Sequence, residues 1–344
     1  MYKDVFGDLK DEDLVNTFCS IFYDEVESWF SADIVCCDEC KEEFLREWPG
    51  VYSRDIEFQI NAIDVDNFYN GSRINYFFSK EEYNGLIDNI KCPNCGSSIH
   101  AYFYPYKFPF DEDGVDNELY ELSKLAEKNP SLLLVNPLAK KIFDFISDRS
   151  KGINEIAICN KYYRGRKFAN GKVYTKLDFN CPPKAVVTEG RYNHSGFPAV
   201  YLGDSPGTCF IELRKPNDGI VVAEITISKK IKILDLIDIE DEDDENSVLK
   251  KVIWSSLICS PDEGEGWYKP QYIFTRFIAD CARYTGFDAI RYPSVRGSDN
   301  RHNIVILDGI KDEGILLIDN IKKFTNENFR DEEEAIVRKK YFLE

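Results

Sequence analysis

Residues 190–214 read GRYNHSGFPAVYLGDSPGTCFIELR, and this stretch decides how the second half of the chain is read. It gathers Arg191, Asn193, Gly196, Tyr201 and Glu212 in one short run. PAVYLG at 198–203 has the apolar, β-prone character of a strand. PGTCFIELR follows, and Pro206 suits a helix start, where its missing N–H and fixed φ are no handicap. The expected local form is a strand followed by a helix that carries Glu212. A second segment, FDAIRYPSVRGSDNRHNIVIL at 287–307, supplies Ser294 and Asn303 between two runs that read as core strands.

An arginine, a glutamate and a serine in these contexts resemble the RES-domain family, whose name records those three residue types. The similarity extends to Tyr163-Arg164, which is similar to the aromatic–arginine pair that opens such domains. It also takes in YKPQYIFTRFIADCARYTGFDAIRYPS at 268–294, which resembles the family's helix-then-strand lead into the serine, with Gln271 where related sequences often carry glutamine. The resemblance covers residues 155–310, about half the chain. It implies an α+β fold like that of the ADP-ribosyltransferases, in which a split β-sheet grips NAD in a cleft. It implies an NAD-consuming enzyme that releases nicotinamide, with water, phosphate or a protein as acceptor, and many such proteins are toxins of bacterial toxin–antitoxin pairs.

The residue types suit that chemistry. Breaking the nicotinamide–ribose bond produces an oxocarbenium-like sugar, as glycoside cleavage does, and a fixed carboxylate stabilises the developing charge. Arginine holds a pyrophosphate through its planar, permanently charged fork. An aromatic ring packs against a flat base. On the resemblance, Arg164 and Arg191 hold the diphosphate and ribose, and Tyr201 packs on a ring. Glu212 engages the ribose hydroxyls and stabilises the cation, and Ser294 orders the ribose or the acceptor. Glu212, Arg191 and Ser294 are thus the candidate catalytic residues.

Each residue also has an ordinary structural reading. Arg191 could cap a surface loop, Tyr201 could be strand core, Glu212 a plain i,i+4 partner on its helix, and Ser294 the start of a turn after Pro293. Their arrival in family order with matching contexts favours the site. His194 and His302 lie inside the two segments and receive no catalytic role. An inactive domain that merely binds NAD or ADP-ribose is the alternative of a different class.

The 344 residues carry a net charge of -18, which argues against a broad nucleic-acid-binding face yet is compatible with an anionic ligand in a locally basic pocket. No apolar run approaches the ~18 residues of a membrane span, and MYKDVFGDLKDEDL lacks a signal-peptide pattern. These features place the protein in the cytoplasm. Its eleven cysteines read as thiols and metal ligands rather than a disulfide frame. CCDEC at 36–40 and CPNCG at 92–96 each contain a Cys-x-x-Cys knuckle. Cys37, Cys40, Cys92 and Cys95 are the candidate ligands of a structural zinc, since four thiolates leave no position open for water. Cys36 competes with Cys37. Residues 41–91 separate the pairs, longer than the ~15–20 residues usual at such sites, so an inserted element must close the loop. Free buried thiols or a redox dithiol are the alternatives. The acidic surroundings of the knuckles favour a protein partner over nucleic acid.

Helical patterns at 1–30, 118–130 and 136–150 and the polar stretch DEDGVDNE at 111–118 precede a mixed α and β second half. EIAICNKYYR is strand-like; GIVVAEITIS and IKILDL alternate like paired strands; VLKKVIWSSLIC and PQYIFTRFIADCARYTG read as helices. The acidic run EDEDDE at 240–245 reads as a solvated loop and DEEEAIVRKKYFLE at 331–344 as a surface helix. The expected organisation is a zinc-knuckle-containing helical N-terminal domain at 1–150, a RES-like domain at 151–310, and a C-terminal strand and helix at 311–344. Expected partners are NAD, an antitoxin or regulatory protein, and another copy of the chain.

Overall fold

The computed structural model describes residues 11–48, 50–51, 62–108, 115–237, 253, 255, 272–294, 301–307 and 315–329. Gln271, the acidic run 240–245, most of 248–259 and the C-terminal 331–344 lie outside them. Among the described residues no helix is long and apolar enough to cross a membrane. The chain divides into two compact units, Met1–Asp111 and Glu112–Glu344. That division falls at the polar stretch, and the helices at 115–152 go with the second unit, whereas the sequence reading places a boundary near 150.

The first unit is built on aromatic packing. Helix α1 (Asp11–Phe30) turns Phe18, Phe22 and Val26, four residues apart, onto one buried face. Phe22 meets Phe68 and Phe103 edge-on at 5.2 and 5.7 Å. Phe103 belongs to β3 (Tyr102–Tyr106), the centre of a three-stranded antiparallel sheet between β1 (Asp33–Cys37) and β2 (Ile63–Asp64). Helices α2 (Lys41–Glu47), α3 (Val65–Gly71) and α4 (Lys80–Leu86) fill the segment between the cysteine pairs. α4 starts with a capping box in which Ser79 and Glu82 each serve the other's backbone N–H. Glu25 is buried, and both its oxygens are engaged by Arg73, at 2.5 Å from Nε and 2.8 Å from the backbone N–H.

The second unit opens with α5 (Val115–Lys128) and α6 (Pro137–Gly152). Asn136 caps α6 by accepting from the Leu138 and Ala139 N–H groups. A seven-stranded sheet follows, in the order β10-β6-β4-β5-β9-β8-β7. Its strands are β4 (Tyr162–Lys167), β5 (Val200–Gly203), β6 (Ile220–Ile227), β7 (Ile233–Asp235), β8 (Ala289–Pro293), β9 (His302–Ile306) and β10 (Leu316–Phe324). Alternation along β6 places Val221, Ala223, Ile225 and Ile227 in one core cluster and Ile220 and Val222 in another. The unit is mixed α+β, as expected.

Two expectations need correction. GIVVAEITIS and IKILDL are both strands but do not pair: β6 lies between β10 and β4, and β7 pairs in parallel with β8. Alternation identifies a strand and carries no information about its neighbour. Within EIAICNKYYR the strand begins only at Tyr162; Ile156 makes an isolated bridge to Ile231.

Helix α7 (Pro206–Glu212) starts where the sequence places it, with Ser205 as N-cap accepting from the Thr208 N–H at 3.0 Å. It lies close on β4 and β5 because each strand offers a glycine beneath it. A Cβ on Gly165 would meet Leu213 at 2.9 Å and Cys209 at 3.0 Å, and one on Gly203 would meet Thr208 at 3.1 Å. Helix α8 (Tyr272–Tyr284) is buried along most of its length and ends before Gly286, whose φ is +88°.

Candidate active site

Glu212 sits at the end of α7, and its Oε1 accepts two hydrogen bonds, each 2.8 Å long. One comes from the Ser294 hydroxyl just after β8, the other from the Asn303 amide on β9. Both donors are almost fully buried. Glu212 stands far from the other two in the chain, and the β8–β9 pairing brings Ser294 and Asn303 side by side, with Pro293 opposite His302 and Tyr292 opposite Asn303. The carboxylate is thereby fixed in direction with one oxygen engaged on one side, the arrangement of a preorganised charge stabiliser.

Glu212 lines an open cavity of about 420 Å³, within the usual range for ligand sites. Arg164, Arg166, Arg191 and Arg214 line it too, against the two carboxylates Glu189 and Glu212. In a chain with net charge -18 this local excess of positive charge suits an anionic ligand. Tyr201, Tyr272, Tyr292 and Asn303 complete much of the wall.

The arginines are held in different ways. Arg164 Nη1 donates to the Phe179 and Asn180 carbonyls at 3.1 and 2.7 Å, and Arg166 Nε donates to the Asp178 carbonyl at 2.9 Å. Burial, with Arg166 adding to it, lowers the Arg164 pKa to about 9, so the group remains cationic at neutral pH. Arg191 lies with its guanidinium 5.0 Å from the Tyr272 ring centre. Burial acts against its charge, and Tyr192, Tyr272, Tyr292 and Glu212 outweigh that effect, so its pKa lies above the ordinary arginine value. Arg214 follows α7 in the left-handed region, φ +66°, and Lys215 does the same at +44°. Two consecutive non-glycine residues there cost about 1 kcal/mol or more each, the kind of strain found beside functional sites.

Tyr201 does not present a free ring-stacking face alone; its hydroxyl has structural work. It donates to Asn193 Oδ1 at 2.8 Å and accepts from the Tyr192 N–H at 2.9 Å, fixing the Arg191 loop against β5. Burial raises its pKa. Asn193 in turn donates to the Thr188 and His194 carbonyls, at 2.9 and 3.0 Å. Ser294 stands behind Glu212 as its donor rather than among the lining residues. His194 pairs with Asp280 at 2.8 Å. His302 pairs with Asp204 at 3.2 Å, and Asp204 also accepts from the Thr208 hydroxyl and the His302 N–H. Burial alone would raise the Asp204 carboxyl, and these bonds bring it below its usual value.

The sequence reading missed Arg166, Arg214, Glu189, Tyr272 and Tyr292. Arg166 carried a signal, since it stands two residues from Arg164 on one strand and shares its face. The others carried none, because their place depends on how strands and helix meet.

In the first unit, Cys37, Cys40, Cys92 and Cys95 bring their sulfurs within 4.8 Å of one another. The separations are 3.8 Å for Cys37–Cys40, 3.7 Å for Cys37–Cys95 and 3.5 Å for Cys40–Cys92. Four ligands about 2.3 Å from a tetrahedral zinc stand about 3.8 Å apart, so the donor set fits that metal. Burial raises the Cys37 and Cys92 thiols above their ordinary value, and backbone N–H groups of Glu39 and Cys40 at the Cys37 sulfur and of Asn94 and Cys95 at the Cys92 sulfur act in the opposite direction. Cys36, the competitor of Cys37, is buried outside the group.

Comparison with known proteins points to the second unit. The family model of the RES domain matches residues 164–322. A protein described as the putative toxin YopC of Bacillus subtilis (strain 168) is 27% identical over 158 residues, which are 39% of this chain and 35% of that protein. The match therefore spans about a third of the relative's length. The crystal structure of the M. tuberculosis MbcT-MbcA toxin–antitoxin complex contains a chain 14% identical, matched over 54% of this chain and 95% of its own, with a TM-score of 0.38. The family match takes in Arg164, Arg191, Glu212, Ser294 and Asn303 together, so the residues that build the cavity wall around Glu212 fall within the part of the chain that is similar to the RES domain.

Proposed function

We propose that this chain is an NAD-consuming enzyme that breaks the bond between nicotinamide and ribose. The observation that carries the reading is the Glu212 carboxylate, oriented by Ser294 and Asn303 in a cavity with four arginines. The C1′–N bond breaks and nicotinamide leaves with the bonding electrons. Glu212 faces the resulting ribosyl cation, an acceptor oxygen from water or phosphate closes the bond at C1′, and the proton that water carries in passes to solvent. Arg164 and Arg191 neutralise the diphosphate. Glu212 carries the bond-breaking step, Arg191 binds the ligand's charge, Ser294 acts through Glu212 as its hydrogen-bond donor, and Tyr201 holds the Arg191 loop in place and offers its ring to the ligand.

The matched relatives bear names of a toxin and of a toxin–antitoxin complex, which supports a role as a cytoplasmic toxin or effector that depletes NAD, held in check by an antitoxin or regulatory protein. In the first unit, Cys37, Cys40, Cys92 and Cys95 would hold a structural zinc that ties β1 to the 92–96 knuckle. Incubation of the purified protein with NAD tests the enzymatic reading. Nicotinamide release by the wild type and its loss in Glu212→Ala are expected. Intact NAD with folded wild-type protein would sink it, and product analysis with and without phosphate identifies the acceptor.

A further inference from the structure

Glu189 is a carboxylate in a cavity otherwise suited to anions, and it stands two residues before Arg191. Its Oε2 lies 3.3 Å from Nη1 of Arg276, whose side chain is only 9% exposed against 40% for Glu189. Arg276 is not among the cavity-lining residues; it reaches Glu189 from α8, behind the wall. The neighbouring residues of α8 hold the same loop. Thr275, fully buried, donates its hydroxyl to the Arg191 carbonyl at 2.5 Å, and the Tyr272 ring lies against the Arg191 guanidinium. One helix face thus positions Arg191 and balances the one lining carboxylate that Ser294 and Asn303 do not address.

We infer that the Glu189–Arg276 pair sets the charge of the anion-binding wall, making Arg276 a positioning and specificity residue for a diphosphate-bearing ligand that it does not touch. The inference rests on the anion-binding half of the proposed function and not on bond cleavage. With Arg276 present, the charge of Glu189 is offset and the positive excess of the lining arginines is felt more fully. Without it, a carboxylate faces the ligand's phosphates, and like charges several ångström apart in a partly dry site repel by enough to change affinity on the order of tenfold. The pair would also discriminate against neutral ligands of the same shape, which gain nothing from the balanced wall.

Inorganic pyrophosphate, titrated calorimetrically into the full chain, is the probe. Arg276→Gln is expected to weaken its binding about tenfold, Glu189→Gln to tighten it a few-fold, and the double variant to return within about twofold of wild type. A merely structural role for Arg276 would leave the double variant as weak as the single one, and that result overturns the inference. So does wild-type affinity in Arg276→Gln, or no pyrophosphate binding by the wild type. If Arg276→Gln does not fold, the more exposed Glu189→Gln decides: tighter binding supports the inference, unchanged or weaker binding overturns it. Nicotinamide release, measured alongside, separates the two claims. The affinity pattern without NAD cleavage leaves the inference standing and sinks the enzymatic reading; cleavage without the pattern does the reverse.

Discussion

The tetracysteine group and the Glu212 pocket solve the same problem, bringing distant polar groups together, by different means. Each cysteine pair is half of the site before the chain folds, because Cys-x-x-Cys in a tight turn already aims two sulfurs at one point; only the closure between the two pairs is long-range. At Glu212 nothing is local. Its donors lie 82 and 91 positions further along the chain, and the arginines arrive from β4, from the loop before β5 and from the left-handed turn after α7. With a metal bound, the cysteine group would contribute to making its unit fold, whereas the pocket depends on a sheet whose core lies elsewhere. Damage to the first should appear in stability and metal content, and damage to the second in chemistry.

The sharpest test of that contrast sets Glu212→Ala beside Cys92→Ser. Loss of Glu212 should lower nicotinamide release by about 10²–10³-fold or more while the chain still folds, the cost to stability being limited to the hydrogen bonds that Ser294 and Asn303 lose. Cys92→Ser should cut bound zinc, expected at about one per chain in the wild type, and lower the melting temperature or solubility, since metal binding here is coupled to folding. Elemental analysis and thermal unfolding read both. Undiminished metal and stability in Cys92→Ser would leave the cysteines as ordinary buried thiols, and a Glu212→Ala protein that fails to fold would place Glu212 among the residues that hold its unit together.

A smaller effect is expected at Arg191. Arg191→Ala should weaken NAD binding by about 1.5–3 kcal/mol, roughly 10- to 100-fold, measured in the Glu212→Ala background so that the ligand survives. Arg191→Lys should recover only part, lacking the planar fork. Unchanged affinity in both would place the diphosphate elsewhere in the cavity.

The smallest effect should come from Ser294→Ala. It removes one of two bonds to Glu212 Oε1 and leaves the other from Asn303, so turnover should fall about tenfold with little change in KM. Asn303→Ala should behave alike, and the double variant should exceed the product of the two, because the carboxylate then loses its orientation altogether. Strictly independent effects would mean that the two donors do not act together on Glu212.

Much of the molecule could be read from local pattern. The Pro206 helix start, the Asn136 break and the knuckles at 37–40 and 92–95 are short-range features whose causes lie within a few residues. The choice of Cys37 over Cys36 was harder, because adjacent cysteines differ only in the direction each takes from β1. Arg164, Arg191 and Glu212 were legible through the motif that contains them. Tyr201 was legible as a residue and not as a role: its hydroxyl bonds to Tyr192 and Asn193 depend on the loop folding back on β5.

By itself the sequence determined the acidic character of the chain, the mixed α and β second half, the cysteine knuckles and the order of the RES motif, since each is set by composition, spacing or a turn a few residues long. The tertiary structure alone decided that β7 joins β8 rather than β6, that Asn303 and Ser294 share one oxygen of Glu212, and that Arg166, Arg214 and Glu189 line the same cavity. The physical reason is that strand pairing and helix docking join residues many positions apart, and the periodicity that identifies a strand says which face is buried without saying which strand lies beside it.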